Sequence, residues 1–272
     1  VGAGTASGVP SASERVGSVG CCAMTRLFQI YITESPVDRL PPVLEAASQN
    51  VQTSFVDAQY SLWNDASIRA FLQQHFDLDV LKAYDNLIPF AYRSDLARYC
   101  LLYHFGGWYA DLGIRMAGNY AVPAVSDEID FIFFWDLGDL MAPFRSFYDC
   151  MNGLLFSRPG NPVLATAIEL VVRHSRDHVY GSDSMSPTGP GVLGRAIAIH
   201  GKCERHYDGH FLQLTPQHHQ KNRAYVTREG VIIAWHRSRL NPDAASLADL
   251  GATGTNDYRL LWKERRVYRD QS

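Results

Sequence analysis

Cysteines and long apolar runs are both scarce in this sequence. Its five cysteines are odd in number and scattered over 272 residues, which argues against a disulfide framework and favours a reducing compartment, with the cytoplasm as the expected location. A helix that crosses a membrane needs roughly 20 consecutive apolar residues, and no such run occurs. We therefore expect no transmembrane segment.

The sequence also lacks an excess of one charge. Lys and Arg number 25 against 28 Asp and Glu, for a formal net charge of -3, so the composition gives no indication of binding to nucleic acid or to an anionic membrane. The length favours one domain with a sizeable core. Residues 1–23 are rich in Gly, Ser and Ala and are interpreted as a flexible leader, an upstream extension or a vector remnant, and residues 24–272 as the domain.

Segments with strand and helix patterns alternate along this domain. β-branched and aromatic residues predict strands at 27–33, 51–56, 108–111, 130–135, 152–157, 211–214 and 231–235. Helical spacing and capping residues predict helices at 65–76, 80–87, 95–105, 162–178 and 191–200. This order predicts a single α/β domain with a mainly parallel, twisted sheet flanked by helices.

The segment 93–113, RSDLARYCLLYHFGGWYADLG, combines a helix pattern with polar residues of chemical interest. Asp95 and Arg98 stand three positions apart, so they share one face near the beginning of the predicted helix. A carboxylate beside a guanidinium could hold sugar hydroxyls and a phosphate there, or form a surface ion pair. Gly106 and Gly107 then supply the left-handed helix stop that other residues adopt only at a steric cost.

Two carboxylates follow predicted strands. Asp111 ends the short strand after the glycine pair, and Asp136 comes directly after the strand FIFFW. Ligands bind just beyond the carboxyl ends of strands in open α/β sheets, so Asp111 is well placed for a divalent cation or a ribose. Either residue could instead cap the following helix, and for Asp136 alone capping is the favoured interpretation.

The complete string resembles the DXD-containing sugar transferases of glycosyltransferase family 32, which are related to initiating mannosyltransferases and to capsular-polysaccharide and toxin-type glycosyltransferases. The residues that match the family pattern in order and spacing are Ser94, Asp95, Arg98, Tyr99, Gly106, Gly107, Tyr109 and Asp111. The resemblance implies a GT-A, Rossmann-like fold. It also implies a role in polysaccharide biosynthesis: retaining transfer of a hexose from a UDP- or GDP-sugar to a saccharide or other hydroxyl acceptor.

The resemblance also assigns roles to individual residues. Its donor-binding set is Tyr31, Asp95, Arg98, Gly107, Tyr109 and Asp111, to which the chemistry of phosphate binding adds Arg115. A Thr-Gly-Pro segment implies that the acceptor side includes Thr188, Gly189 and Pro190. In a retaining transfer the leaving phosphate can itself accept the acceptor's proton, so no protein nucleophile is obligatory. The first candidates for catalytic roles are Asp111, Asp136 and Asn152.

Gly113 stands where the family has the second aspartate of its DXD motif, and three explanations are open. In the first, Mn²⁺ or Mg²⁺ still binds, with Asp111 and His236 as ligands. In the second, Arg115 or another cation neutralises the diphosphate in place of the metal ion. In the third, the protein is a catalytically silent sugar-nucleotide or glycan-binding protein of the same fold.

Overall fold

The computed structural model describes residues 25–35, 37, 39–118, 125–137, 149–214, 223–237 and 246–269. The helices are α1 (Pro42–Ser54), α2 (Asp65–His75), α3 (Leu78–Asn86), α4 (Phe90–Phe105), α5 (Pro162–Arg176), α6 (Pro190–His200) and α7 (Tyr258–Lys263). The strands are β1 (Arg26–Ile30), β2 (Gln59–Trp63), β3 (Gly107–Ala110), β4 (Arg115–Met116), β5 (Phe131–Asp136), β6 (Cys150–Ser157), β7 (His206–Gln213), β8 (Arg223–Val226) and β9 (Ile232–Trp235). None of the helices within these ranges is both long and apolar enough to cross a membrane.

The nine strands form one mixed sheet in the order β2-β1-β3-β6-β5-β7-β8-β9-β4. The pairs β1–β2, β1–β3 and β5–β7 are parallel, and the other five described pairs are antiparallel. The fold is therefore mixed α/β, and the prediction of a mainly parallel sheet is wrong for these strands. One reason is that β7, β8 and β9 are consecutive neighbours, joined by fewer than the dozen or so residues that a parallel crossover needs.

The pleat of the central strands decides which residues face α4. Phe28 and Tyr109 belong to an apolar cluster with residues of α4 and α5, whereas Leu27 and Trp108 belong to a second cluster with residues of α1. Successive side chains of a strand point to opposite faces of the sheet. The extended chain therefore directs Tyr109, and Asp111 two positions later, towards α4.

Among the differences from the predicted elements, two concern residues 51–56 and the beginning of α4. Residues 51–56, predicted as a strand, instead belong to the end of α1 and the turn after it. The buried residues of α1 recur at helical spacing and are Leu44, Ala47, Ser48, Val51 and Ser54. Helix α4 begins at Phe90, earlier than predicted, because Pro89, which is unsuited to a helix interior, precedes it. Gly106 ends α4 as predicted, with a left-handed φ of 66°.

Candidate functional site

The centre of the candidate site is the buried guanidinium of Arg98 on α4. Its Nη2 lies 3.1 Å from Asp95 Oδ1, its Nη1 lies 3.2 Å from Asp111 Oδ1, and its Cζ lies 4.5 Å from the ring centre of Tyr109. Nη1 also donates to the carbonyl of Asn152 at 2.8 Å. Burial by itself lowers the pKa of Arg98, but the negative charge of Asp111 and its neighbours outweighs burial and raises this pKa above its usual value. Arg98 therefore remains a cation.

Hydrogen bonds hold both oxygens of Asp95. Its Oδ1 accepts from Asn152 Nδ2 at 2.8 Å, and its Oδ2 accepts from Thr188 Oγ1 at 2.7 Å. Asn152 Nδ2 also donates to the hydroxyl of Tyr99 at 2.9 Å, and that hydroxyl donates to the carbonyl of Thr188 at 3.0 Å. Burial raises the pKa of Asp95, whereas the charge of Arg98 and the Thr188 bond lower it. These contacts suit Asp95 to positioning Arg98.

Asp111 is the more exposed of the two carboxylates, with 28% of its side chain accessible against 12% for Asp95. The hydroxyl of Tyr109 donates to Asp111 Oδ1 at 2.7 Å, so this bond and the Arg98 contact engage the same oxygen. A Cβ on Gly153 would lie 2.7 Å from Asp111 Oδ2. A side chain at position 153 would therefore have to displace this carboxylate or the hydroxyl of Tyr225, which lies 2.6 Å from the same Cβ position.

Gly113 has a backbone conformation that disfavours the aspartate of the DXD motif. The amide of Ile114 donates to the carbonyl of Asp111 at 3.2 Å, which closes a turn in which Gly113 has a φ of 89°. Side chains of L-residues are strained in this left-handed region. An aspartate at position 113, which the DXD pattern would require, would therefore be strained in this turn.

A cavity of about 360 Å³, called the larger cavity below, opens beside Asp111. The lining residues that carry a carboxylate, guanidinium, imidazole or amide group are Asp95, Arg98, Asp111, Asp136, Asn152, Arg223, His236, Arg237 and Arg259. All three residues predicted to be catalytic are among them, so the fold brings these candidates to one space. Of the predicted acceptor side, Gly189 and Pro190 also line this cavity, whereas Thr188 is fully buried.

Three arginines from the C-terminal part of the chain line the larger cavity, and sequence reasoning missed all of them. Arg223 begins β8, Arg237 follows β9, and Arg259 lies on α7. The amide of His236 donates to the carbonyl of Arg223 at 2.9 Å, which aligns the first two segments. Burial lowers the pKa of His236 well below its usual range, and the charges of Arg237, Arg223 and Arg259 lower it further. His236 is therefore a neutral imidazole in positive surroundings.

A second cavity of about 120 Å³, called the smaller cavity below, adjoins the first. Arg98, Asp111 and Arg237 line both cavities and so mark the junction between them. The remaining lining includes the apolar residues Ile30, Ile32, Leu112 and Leu247 and the polar residues Ser94, Ser246, Thr255 and Asn256. The smaller cavity therefore combines apolar walls with several polar groups that could orient a small molecule.

Three members of the predicted donor-binding set lie outside the linings of both cavities. Tyr31 packs in a separate apolar cluster, because side chains alternate along the extended chain and its neighbours Ile30 and Ile32 face the smaller cavity. Gly107 serves the close approach of β3 to β1, since a Cβ there would lie 2.5 Å from a carbonyl oxygen of β1. Arg115 is exposed on β4, at the edge of the sheet. Donor binding by these three residues stays a prediction.

Comparison with known proteins finds a match for the part of the chain that contains Asp95, Arg98 and Asp111. Residues 41–128, which include α1 to β4, match the model of a family described as the glycosyltransferase sugar-binding region containing a DXD motif. A protein described as an uncharacterized glycosyltransferase of Acanthamoeba polyphaga mimivirus is 28% identical over 137 residues, which are 50% of this chain and 51% of the viral protein. The chain thus spans about half the length of the curated relative it matches.

Among solved structures, the PaToxG glycosyltransferase has a TM-score of 0.47 to this chain and 15% sequence identity, with coverage of 65% of this chain and 68% of that chain. Residues 41–128 are thus similar to the DXD-containing sugar-binding region of glycosyltransferases. Placement in family 32 stays a prediction.

DXD-type domains generally use divalent cations, but the residues that the structure describes do not form a metal centre by themselves. In the part of the chain that the structure describes, no three His, Cys, Asp or Glu side chains converge. The two predicted ligands, Asp111 and His236, do line one cavity. However, a cation beside His236 would be repelled by the same three arginines that lower its pKa. This arrangement argues against the predicted pair of metal ligands.

Proposed function

We propose that the protein is a retaining glycosyltransferase that moves a hexose from a UDP- or GDP-sugar to a saccharide or another hydroxyl-bearing acceptor. The observation that carries the proposal is the cluster of Asp95, Arg98 and Asp111, which lies within the DXD-type region and faces both cavities through Arg98 and Asp111. The apolar walls of the smaller cavity suit the base. The larger cavity suits the sugar and the acceptor, and the diphosphate then lies at their junction.

The reaction exchanges one bond at the anomeric carbon. The bond from this carbon to the diphosphate oxygen breaks, and its electron pair leaves with the nucleoside diphosphate. The acceptor oxygen forms the new bond on the same face, and its proton passes to the leaving phosphate. Since the transition state is oxocarbenium-like, stabilising the negative charge that develops on the leaving group is the main task.

The lining residues divide between these tasks. We assign Asp111, which lines both cavities, to accept a hydrogen bond from the ribose at the junction. Asp136 and Asn152 face the space assigned to the sugar, where their oxygens would stabilise positive charge at the anomeric carbon. Gly189 and Pro190 border the same cavity and are assigned to the acceptor side.

The proposal is tested with a panel of UDP- and GDP-hexoses and saccharide acceptors, by measuring the nucleoside diphosphate released with and without Mn²⁺. We expect release from at least one donor, and a decrease of about 100-fold in Asp111→Asn, the size typical of losing one transition-state contact. Asp127→Asn is the matched control, because the side chain of Asp127 is fully exposed, pairs with Arg158 and lines neither cavity. No release from the whole panel, or near-normal release by Asp111→Asn, would contradict the proposal.

A catalytically silent protein that binds sugar nucleotides or glycans is the second candidate, and Gly113 is the observation that favours it. Calorimetric titration with the same donors separates the two functions. Binding of a donor without release of its nucleoside diphosphate, in the presence of acceptors, would support the silent protein.

A further inference from the structure

We propose that Arg223, Arg237 and Arg259, called the arginine cluster below, bind the diphosphate of the donor and supply the positive charge that a divalent cation supplies in other DXD-type sites. The inference rests on the proposed function, because the diphosphate belongs to the proposed donor. It concerns a different part of the chain, however, since all three arginines lie outside the matched region 41–128.

The position of the arginine cluster fits a ligand that spans both cavities. Arg237 lines the larger and the smaller cavity, together with Arg98 and Asp111. A nucleoside in the smaller cavity and a sugar in the larger one must be joined through this junction. The linking diphosphate would therefore pass Arg237, with Arg223 and Arg259 lining the sugar side.

The charges around the larger cavity match those of a diphosphate. Arg98 is engaged by Asp95 and Asp111, at 3.1 Å and 3.2 Å. Beyond this group, the lining contributes the three cations of the arginine cluster against one carboxylate, Asp136. The cluster also interacts with other groups of the protein, and the proposal requires only that its guanidinium groups reach the cavity. A guanidinium binds phosphate oxygens through two parallel hydrogen bonds, so it suits this task.

The segment that contains Asp111 and Gly113 lies apart from the arginine cluster in the sequence, and it offers few carboxylate oxygens that could bind a metal cation. Gly113 occupies the position of the second aspartate, and its φ of 89° makes any side chain there strained. Oδ1 of the remaining carboxylate, Asp111, already contacts Arg98 and accepts a bond from Tyr109. Around the larger cavity, Asp95 and Asp111 are already paired with Arg98, and three further arginines face one further carboxylate. An excess of positive charge of this kind suits an anion.

The test measures binding of inorganic pyrophosphate, UDP and GDP by calorimetry, in EDTA and in Mn²⁺, for the whole chain and for Arg223→Gln, Arg237→Gln and Arg259→Gln. We expect pyrophosphate and one nucleoside diphosphate to bind in EDTA. Each substitution should weaken that binding by roughly tenfold or more, which is about 1.4 kcal/mol or more, since each removes a charged hydrogen-bond donor. Arg176→Gln is the matched control, because Arg176 is an exposed arginine that pairs with its neighbour Asp177 and lines neither cavity, and it should bind like the unaltered chain.

The outcomes separate this inference from the proposed function. Sugar transfer that requires Mn²⁺ and is unchanged in all three variants would overturn the inference and leave the proposed function standing. Pyrophosphate binding in EDTA that the substitutions abolish, without release from any donor, would support the inference and contradict the proposed function. Failure of every probe to bind in either buffer would overturn both. Arg259 is exposed on α7, so Arg259→Gln retains a folded chain even where a substitution at a half-buried arginine does not.

Discussion

The two sides of the larger cavity hold their arginines in different ways. On the side of α4 and β3, the Arg98 side chain is 5% exposed and lies within 3.2 Å of two carboxylates. On the C-terminal side, Arg223 and Arg237 are half-buried and Arg259 is exposed. A buried, paired guanidinium is fixed before any ligand arrives, whereas partly exposed guanidinium groups retain room to adjust to an anion. The comparison suggests that one side positions the ligand and the other supplies charge.

Among the substitutions that test this difference between the two sides, Arg98→Ala should have the largest effect on the free energy of unfolding. It leaves the buried Asp95 and the partly buried Asp111 without their shared counter-charge, and breaking such a buried pair costs about 3–5 kcal/mol of unfolding free energy. Arg98→Lys should recover only part of this loss, because an ammonium lacks the planar fork that reaches both carboxylates. Urea unfolding monitored by circular dichroism measures both values.

The control for Arg98 is Arg176→Ala, since Arg176 is an exposed arginine that pairs with its neighbour Asp177. We expect no measurable change in its unfolding free energy. A loss below about 1 kcal/mol in Arg98→Ala would place Arg98 in the same class as a surface ion pair and would remove the difference between the two sides of the cavity.

These two sides were also unequally predictable from the sequence. The signals for the α4 side are local: Asp95 and Arg98 share a helix face, and Gly106 ends that helix before the strand that presents Asp111. Such signals depend on spacing within one segment, so the sequence preserves them. The structure confirms the helix stop and brings these three side chains together.

The arginine cluster carries no comparable signal. Its members come from β8, the end of β9 and α7, and antiparallel pairing of β8 with β9 brings the first two to one place. Arginines near strand ends are common on surfaces, so no spacing marks these as a site. Arg115 illustrates the converse error: it is only four positions from Asp111, but the turn at Gly113 leads it into β4, which pairs with β9 at the sheet edge. Closeness in sequence did not predict closeness to the cavity.

The substitution Gly113→Asp introduces the second carboxylate that the DXD pattern would require. Gly113→Asp and Gly113→Ala should each lose about 1–2 kcal/mol of unfolding free energy, because both place an L-residue at a left-handed φ. Gly113→Asp should gain no Mn²⁺-dependent affinity for UDP or GDP over Gly113→Ala, which carries the same backbone strain without a carboxylate. Thermal unfolding and calorimetric titration provide the two measurements. A clear gain in Gly113→Asp would show that the site still accepts a cation and would weaken the contrast drawn above.

The smallest expected effect is a change in how stability depends on pH. The pKa of His236 is lowered in the folded protein, first by burial and then by the arginine cluster, so below pH 6.5 the unfolded chain takes up a proton that the folded chain refuses. The contribution of His236 to stability is therefore fully present above its unfolded pKa of about 6.5 and is lost as the pH falls below that value. Arg237→Gln removes one of the repelling charges, so the folded pKa of His236 should rise and the decline in stability should become shallower.

The titration of His236 can be followed directly by the NMR signal of its ring between pH 7 and pH 5. In the unaltered chain and in Arg115→Gln we expect the ring to stay neutral over most of this range, and in Arg237→Gln we expect it to take up its proton at higher pH. Equal titration in all three proteins would mean that burial alone lowers this pKa. The arginines on the C-terminal side of the cavity would then have no measurable electrostatic effect on His236. The two sides would no longer differ in charge, because on the α4 side Arg98 is paired with Asp95 and Asp111.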